Sequence, residues 1–393
     1  MNKTMLIVLK KELKDMFRDK KTLLVGILIP LLMMPVLFGV MGKSMNKSMK
    51  SAKENIKISV KDEGNSGFGQ FIMSKENINA VESENPEEDV KSGKLALAME
   101  IPKDFDSKIS QEQISKLKIT YDNSSQGSMT AFGIINSYME EYSKYIIKER
   151  LDKRGIDTGI LSPIVPEIHT AVKDNEGQGI LMISLMLPLF LIIYSVTGPM
   201  AAATDLGAGE KERGTLEPLL STKAGRLSIL WGKFWAITVM GIITALASLV
   251  GIIIAMRQNE SLFGSTSGVS LPIQTIVLIA AVSISVTMVF GALELAISIY
   301  ARSFKEAQTY LSPLMIIAFI PAYSAYMMDA KNISSASFNI PLVNAISLIK
   351  EALVGIYNPV HIVITFAWIG VYIVMSILFA RYMFSREEVI FRT

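Results

Sequence analysis

An acidic side chain inside an otherwise apolar run is the first place where this chain could do chemistry. Glu294 lies in the stretch 271–300, about nine Å from its C-terminal end at 1.5 Å per residue. An ionised carboxylate at membrane depth costs about 2.5–3.5 kcal/mol on insertion scales, so it needs a wet cavity or a partner. Ser283, Thr287, Gly291, Glu294 and Ser298 follow at spacings of four, four, three and four, which is one stripe of a helix. Such an oxygen-bearing wall suits the path of a hard cation such as Na+ without selecting it. The same spacing also suits small residues packing a bundle, with Glu294 hydrogen-bonded near the interface. Asp205, at the mouth of an earlier apolar run, is a further candidate for the path, and it can equally cap the next segment.

That segment, DLGAGEKERGTLEPLLSTKAGRLSILWGK from Asp205, is the second chemically dense place. It lies between the apolar runs 179–203 and 234–256 and is too short to be a domain. Glu210, Glu212, Arg213, Gly214, Thr215, Leu216 and Glu217 stand in close order within it. Gly207 and Gly209 are expected to break the preceding run, and 210–220 to form a short helix that Pro218 kinks or ends. It is either an ordinary loop capping two spans or a docking surface for a soluble partner. The density of charge without net basicity favours docking over a lipid-headgroup site.

Other chemistry is absent. No G-x-x-x-x-G-K-[ST] phosphate loop, H-E-x-x-H helix or G-x-S-x-G elbow occurs. His169 and His361 are too far apart in sequence to suggest a metal site, and there is no cysteine for a thiolate site or a disulfide framework. No catalytic residue, metal or cofactor is expected in the chain, and no enzyme activity of its own.

The elements that position these residues are read from hydropathy. Half of the 393 residues are hydrophobic, 19% are charged, and the mean hydropathy is +0.38, a composition whose solvent is partly lipid. Runs at 22–41, 179–203, 234–256, 271–300, 311–328 and 360–380 approach or exceed the ~20 residues that cross a bilayer. The fifth holds Pro313 and Pro321, so it can be a broken or re-entrant span. The block 43–178 holds 19 Lys/Arg against 22 Asp/Glu. Of the other 20 basic residues, 17 lie in 1–21, 204–233, 302–305 and the tail, and three in the remaining loops. The positive-inside rule then puts both termini and 204–233 in the cytoplasm and 43–178 outside a plasma membrane. The first run is full length with no A-x-A site after it, so it is not a cleavable signal.

Residues 1–21 carry Met5, Leu9, Leu13 and Met16 or Phe17 at helical spacing among lysines, which predicts an amphipathic helix in the membrane plane. The first span occupies 22–42. In 43–178, strand patterns at 56–60, 94–101, 117–121 and 165–172 alternate with a helix at 128–153, and the loosest loops are expected in 62–89. Within 179–393, the outer segment near 340–356 is apolar enough to dip back into the membrane. The fold class expected is an α-helical integral membrane protein, six transmembrane helices with an inserted extracytoplasmic α/β domain.

Glu212-Arg213-Gly214-Thr215-Leu216-Glu217, with Leu219-Leu220-Ser221-Thr222 close behind, resembles the E-R-G-T-L-E-x-L-L signature of type-2 ABC exporter permeases. Ala301-Arg302-Ser303-Phe304-Lys305-Glu306-Ala307-Gln308 resembles the equivalent stretch of the NatB-like sodium-efflux permeases. Lys223-Ala224 departs from the Pro usual after Ser-Thr. The resemblance covers the whole chain in architecture. It implies Na+ export driven by a separately encoded ABC ATPase subunit, which would hold the ATP and Mg2+. It also implies a second permease copy, a homodimer in the lipid bilayer, and a coupling helix at 205–222 seated on the ATPase through Glu210 to Glu217. No nucleic acid is expected as a partner. The same architecture exporting a drug, lipid, peptide or polysaccharide is the alternative. A membrane sensor with an outer ligand-binding domain is more remote, since the longest cytoplasmic stretch is about 30 residues.

Overall fold

The structure is a computed structural model and describes residues 3–161, 174–258 and 271–390, together with 164, 167 and 169. The strand expected at 165–172 falls almost wholly outside the described residues. The chain divides into two compact units, one of residues 1–40 with 170–393, the other of 41–169. Helix α1 (Lys3–Arg18) buries Met5, Val8 and Glu12 on one face and lays Leu9, Leu13 and Met16 against the same cluster. That is the three- and four-residue spacing of an amphipathic helix, with Phe17 left exposed. Helix α2 (Lys20–Glu54) runs unbroken through Pro30 and Pro35, past residue 43, where the outer block was expected to begin.

The 41–169 unit is built on a four-stranded sheet in the order β2-β1-β3-β4. In chain order its elements are β1 (Ile56–Asp62), α3 (Gly67–Met73), β2 (Ile78–Ala80), α4 (Pro86–Lys91), β3 (Leu97–Ile101), α5 (Phe105–Ser110), β4 (Lys118–Tyr121) and α6 (Gln126–Asp152). β1 lies parallel to β2 and β3, and β4 closes the edge antiparallel to β3. β3 is buried on both faces, as the central strand of a covered sheet must be. Leu97 and Met99 meet Phe68, Ile72, Ala131 and Ile135 on one side, and Ala98 meets Val90 on the other. Residues 62–89, where the loosest loops were expected, hold α3, β2 and the start of α4 between their turns. Ser66 accepts from the Gly69 N–H to cap α3, and Phe68 and Ile72, one turn apart, lock it into the core. The two glycines and the polar flanks had hidden that pattern.

The other unit continues with α7 (Asp174–Thr204), a π-helical turn (Asp205–Gly209), α8 (Glu210–Glu212), α9 (Leu216–Leu220), α10 (Arg226–Gln258), α11 (Ile273–Tyr300) and α12 (Phe304–Ser324). A 3-10 turn (Ser335–Asn339), α13 (Val343–Leu353), α14 (Pro359–Ser385) and α15 (Glu387–Ile390) complete it. Among the described residues five helices are long and apolar enough to cross a membrane: Gly26–Ser44, Ile180–Glu212, Arg226–Gln258, Ile273–Tyr300 and Pro359–Ser385. The sixth run expected, 311–328, falls largely in α12, which is not among those five but is a continuous helix and not a broken one. Pro313 takes away the donor to the Thr309 carbonyl, and the Ser312 hydroxyl supplies one at 2.9 Å. α7, α10 and α11 pack closely where a Cβ on Gly241 would lie 2.2 Å from Thr287 Cγ2.

The 335–353 segment folds back on itself along α14. Ser335 Oγ meets His361 Nε2 at 3.3 Å, while Asn339 accepts from the Trp368 indole at 3.1 Å, seven residues or about 10 Å further along the helix. The backbone turns at Leu342, whose φ is +65°, and α13 returns until Glu351 reaches His361 Nδ1 at 2.8 Å. All eleven α13 residues are buried. Phe68→Ala should destabilise the 41–169 unit by about 3–5 kcal/mol. Hydrogen exchange on the full-length chain checks this as lost protection in β1 and β3.

Candidate functional site: the hub around Glu210

Gly207 and Gly209 do not break α7. The helix widens there into the π turn Asp205–Gly209, which frees backbone groups from the regular ladder. Both kinds are taken up by neighbouring helices. The Ala208 N–H donates to Ser298 Oγ at 2.9 Å, and Lys233 donates to the Leu206 carbonyl at 3.0 Å. Gly207 is needed for this approach, since a Cβ would stand 2.4 Å from Ser298 Oγ. The chain then leaves the helix after Glu212, turns at Gly214 with φ of +66°, and restarts as α9 with Pro218 in its first turn.

Each residue of Glu210-Lys211-Glu212-Arg213 goes to a different element. Glu210, 3% exposed, accepts from Lys11 of α1 at 2.9 Å and from Lys233 of α10 at 2.5 Å. Glu12 accepts from the same two lysines, at 3.1 and 3.3 Å, so the four side chains form a closed ring of alternating charge. Lys233 is fully buried and Glu12 is 1% exposed. Burial alone would lower the Lys11 ammonium, but hydrogen bonding to Glu210 and the charge of Glu12 outweigh it and hold it above the ordinary lysine value. Lys211 donates to the carbonyls of Ile299 and Ala301 at the end of α11 and of Val389 in α15. Glu212 accepts the first free N–H of α12, from Phe304, at 2.7 Å. Arg213 pairs with Asp205 at 2.8 Å. Thr215 places its N–H and hydroxyl both on the Glu210 carbonyl.

This arrangement divides the expected docking residues. Glu210 is interior and Leu216 is buried, so neither presents a surface. Glu212, Arg213, Gly214, Thr215 and Glu217 are exposed, with Pro218, Ser221, Thr222 and Lys223 beside them. The expected ion path divides as well. Ser298 is satisfied by the π turn, donating in its turn to the Thr204 carbonyl at 3.3 Å, and Asp205 is tied to Arg213. Ser283, Thr287 and both carboxylate oxygens of Glu294 are buried with no hydrogen-bond partner among the described residues. Sequence reasoning missed Lys11, Glu12, Lys233 and Lys211. A signal was there for two of them: Glu12 follows Met5 and Val8 on the buried face of α1, and Lys233 opens an apolar run.

Residues 6–389 match the family described as ABC-2 family transporter protein. The chain belongs to that family and is a transport permease, a membrane component and not a catalytic chain. It is 28% identical to the ABC transporter permease protein NatB of Bacillus subtilis (strain 168), over 97% of this chain and 98% of the relative.

Lys233→Met would leave two buried carboxylates sharing the half-exposed Lys11 alone and should cost about 3–5 kcal/mol. Trp231 and Trp235 sit beside the ring among only three tryptophans in the chain, so thermal unfolding followed by their fluorescence reports the loss.

Proposed function

We propose that this chain is the permease half of an ATP-driven exporter of Na+ in the plasma membrane, working with a separate ABC ATPase. In this reading α12 joins the five apolar helices as a sixth crossing. The termini and the hub face the cytoplasm, and the 41–169 unit lies outside. Two copies form a homodimer, each holding one ATPase, and ATP and Mg2+ belong to that subunit.

The observation that carries the reading is the hub. Three consecutive side chains, Glu210, Lys211 and Glu212, fasten the π turn to α1, α10, α11, α12 and α15, and the short exposed hook 213–223 projects from the same point. A push on the hook is thereby shared among the ends of most of the helices instead of bending one loop. Glu217, Pro218, Ser221 and Thr222 are the residues that would meet the ATPase. Cation export draws support from Ser283, Thr287 and Glu294, whose oxygens are free inside the bundle. Export of an apolar drug or lipid is the second reading. It is favoured by a groove of about 230 Å3 between α7 and α12, lined by Ile193, Val196, Met315, Ile316 and Phe319.

Glu217→Ala should leave the chain membrane-inserted and lower transport-coupled ATP turnover about tenfold, the loss of some 1.4 kcal/mol of coupling contacts. Unchanged turnover in the reconstituted complex would refute the hook's role. Glu294→Gln should abolish the Na+ dependence of that turnover, whereas under the second reading turnover responds to apolar substrates and not to Na+, with or without the substitution.

A further inference from the structure

Among the described residues eight buried side-chain polar atoms lack a hydrogen-bond partner, and seven of them lie in three helices that pack together. They are Asn344 Nδ2 and Ser347 Oγ of α13, Thr365 Oγ1 of α14, and Ser283 Oγ, Thr287 Oγ1 and both Glu294 oxygens of α11. Each residue is almost wholly buried. A hydroxyl in a helix has a default partner, the carbonyl one turn back. Neighbours use it: Ser285 donates to the Ala281 carbonyl at 2.7 Å and Thr238 to that of Phe234 at 2.8 Å. Ser283, Thr287, Ser347 and Thr365 do not, so packing is not their whole purpose.

Their places form a series. Thr275 Oγ1 donates to the Ala352 carbonyl at 3.3 Å, which pins the end of α13 beside the start of α11. Ser347 and Asn344 then lie progressively further in, toward the turn at Leu342. Thr365 sits between His361 and Trp368, the two contacts that mark the descent of the chain along α14. Ser283 is about 12 Å along α11 from Thr275, Thr287 about 6 Å beyond it, and Glu294 about 10 Å beyond that. The fixed charges nearby are already engaged. Lys350 donates to the carbonyls of Ala325, Tyr326 and Met328 at 2.7–2.8 Å, and Glu351 is held by His361. What remains is hydroxyl, amide and, at the deep end, one carboxylate.

We propose that these seven atoms line a single water-filled passage within one chain, entering at the fold-back of 335–353 and ending at Glu294, which admits a small hydrated monovalent cation. It deepens the proposed export of Na+ and rests on that reading's placement of the fold-back on the outer side. Six of the seven atoms are hard oxygens, the chemistry that favours such an ion over an organic cargo, and Asn344 Nδ2 would donate to the water around it.

The chain has no native cysteine, so single thiols can be placed without removing any. Ser347→Cys, Thr365→Cys, Ser283→Cys and Thr287→Cys are compared with Ala296→Cys, a fully buried position on α11 that bears no polar group. Each variant is reconstituted in vesicles and exposed from outside to Ag+, a small monovalent cation that caps thiols, and the unreacted thiol is counted after denaturation. All four should react at least tenfold faster than Ala296→Cys. If Ser283→Cys and Thr287→Cys react no faster than that control, the passage does not exist, whether or not the two outer thiols react. A water-soluble carbodiimide applied to the unsubstituted chain tests the same point without mutation. Modification of Glu294 found by mass spectrometry supports the passage, and an untouched Glu294 overturns it. No ATPase is present in either assay, so a failure here is separate from a failure of ATPase coupling.

Discussion

Two lysines and two glutamates, three of them sealed from water, hold one end of the helix bundle together. Opposite charges at such short range inside a low-dielectric interior offset their own desolvation only when every partner is present. The ring Lys11–Glu12–Lys233–Glu210 meets that condition because each side chain contacts two others of opposite sign. Removing any one leaves each neighbour with a single partner. α1 is therefore fixed to the bundle by a specific register as well as by its apolar face, and the approach of the 210–213 segment is fixed with it.

The π turn makes this geometry possible. In a regular helix the Leu206 carbonyl and the Ala208 N–H would be spent on their own ladder. One widened turn releases them to Lys233 and Ser298, and it also rotates the residues beyond Gly209. At about 100° per residue, four consecutive positions point around the full circle. That is how Glu210, Lys211 and Glu212 reach different helices while Arg213 turns back to Asp205. A cluster of charge that reads as a surface in one dimension is an internal junction at Glu210 and a surface at Glu212, Arg213 and Glu217.

The opposite end of the same unit handles polarity differently. There Lys350 and Glu351, adjacent on α13, secure the fold-back to the end of α12 and the start of α14. Next to these satisfied groups stand hydroxyls and an amide with none. The contrast between a saturated hub and an unsaturated interior separates residues that hold the bundle from residues that remain free to meet something else.

Local pattern was enough to place the apolar helices, the amphipathic start, most of the sheet and the E-R-G-T-L-E segment, because periodicity and turn residues act over a few positions. It also found Glu294, since a carboxylate in an apolar run is conspicuous by itself. It missed α3, where glycines masked two core residues, and it did not foresee that Ser298 and Asp205 both bond to the π turn and its flank. Which partner a charged side chain takes was decided only by the tertiary structure. Lys11 and Glu210 are 199 positions apart, and Lys233 and Glu12 are 221 apart. Nothing within a turn or two of either residue can encode a contact that exists only after the helices have packed.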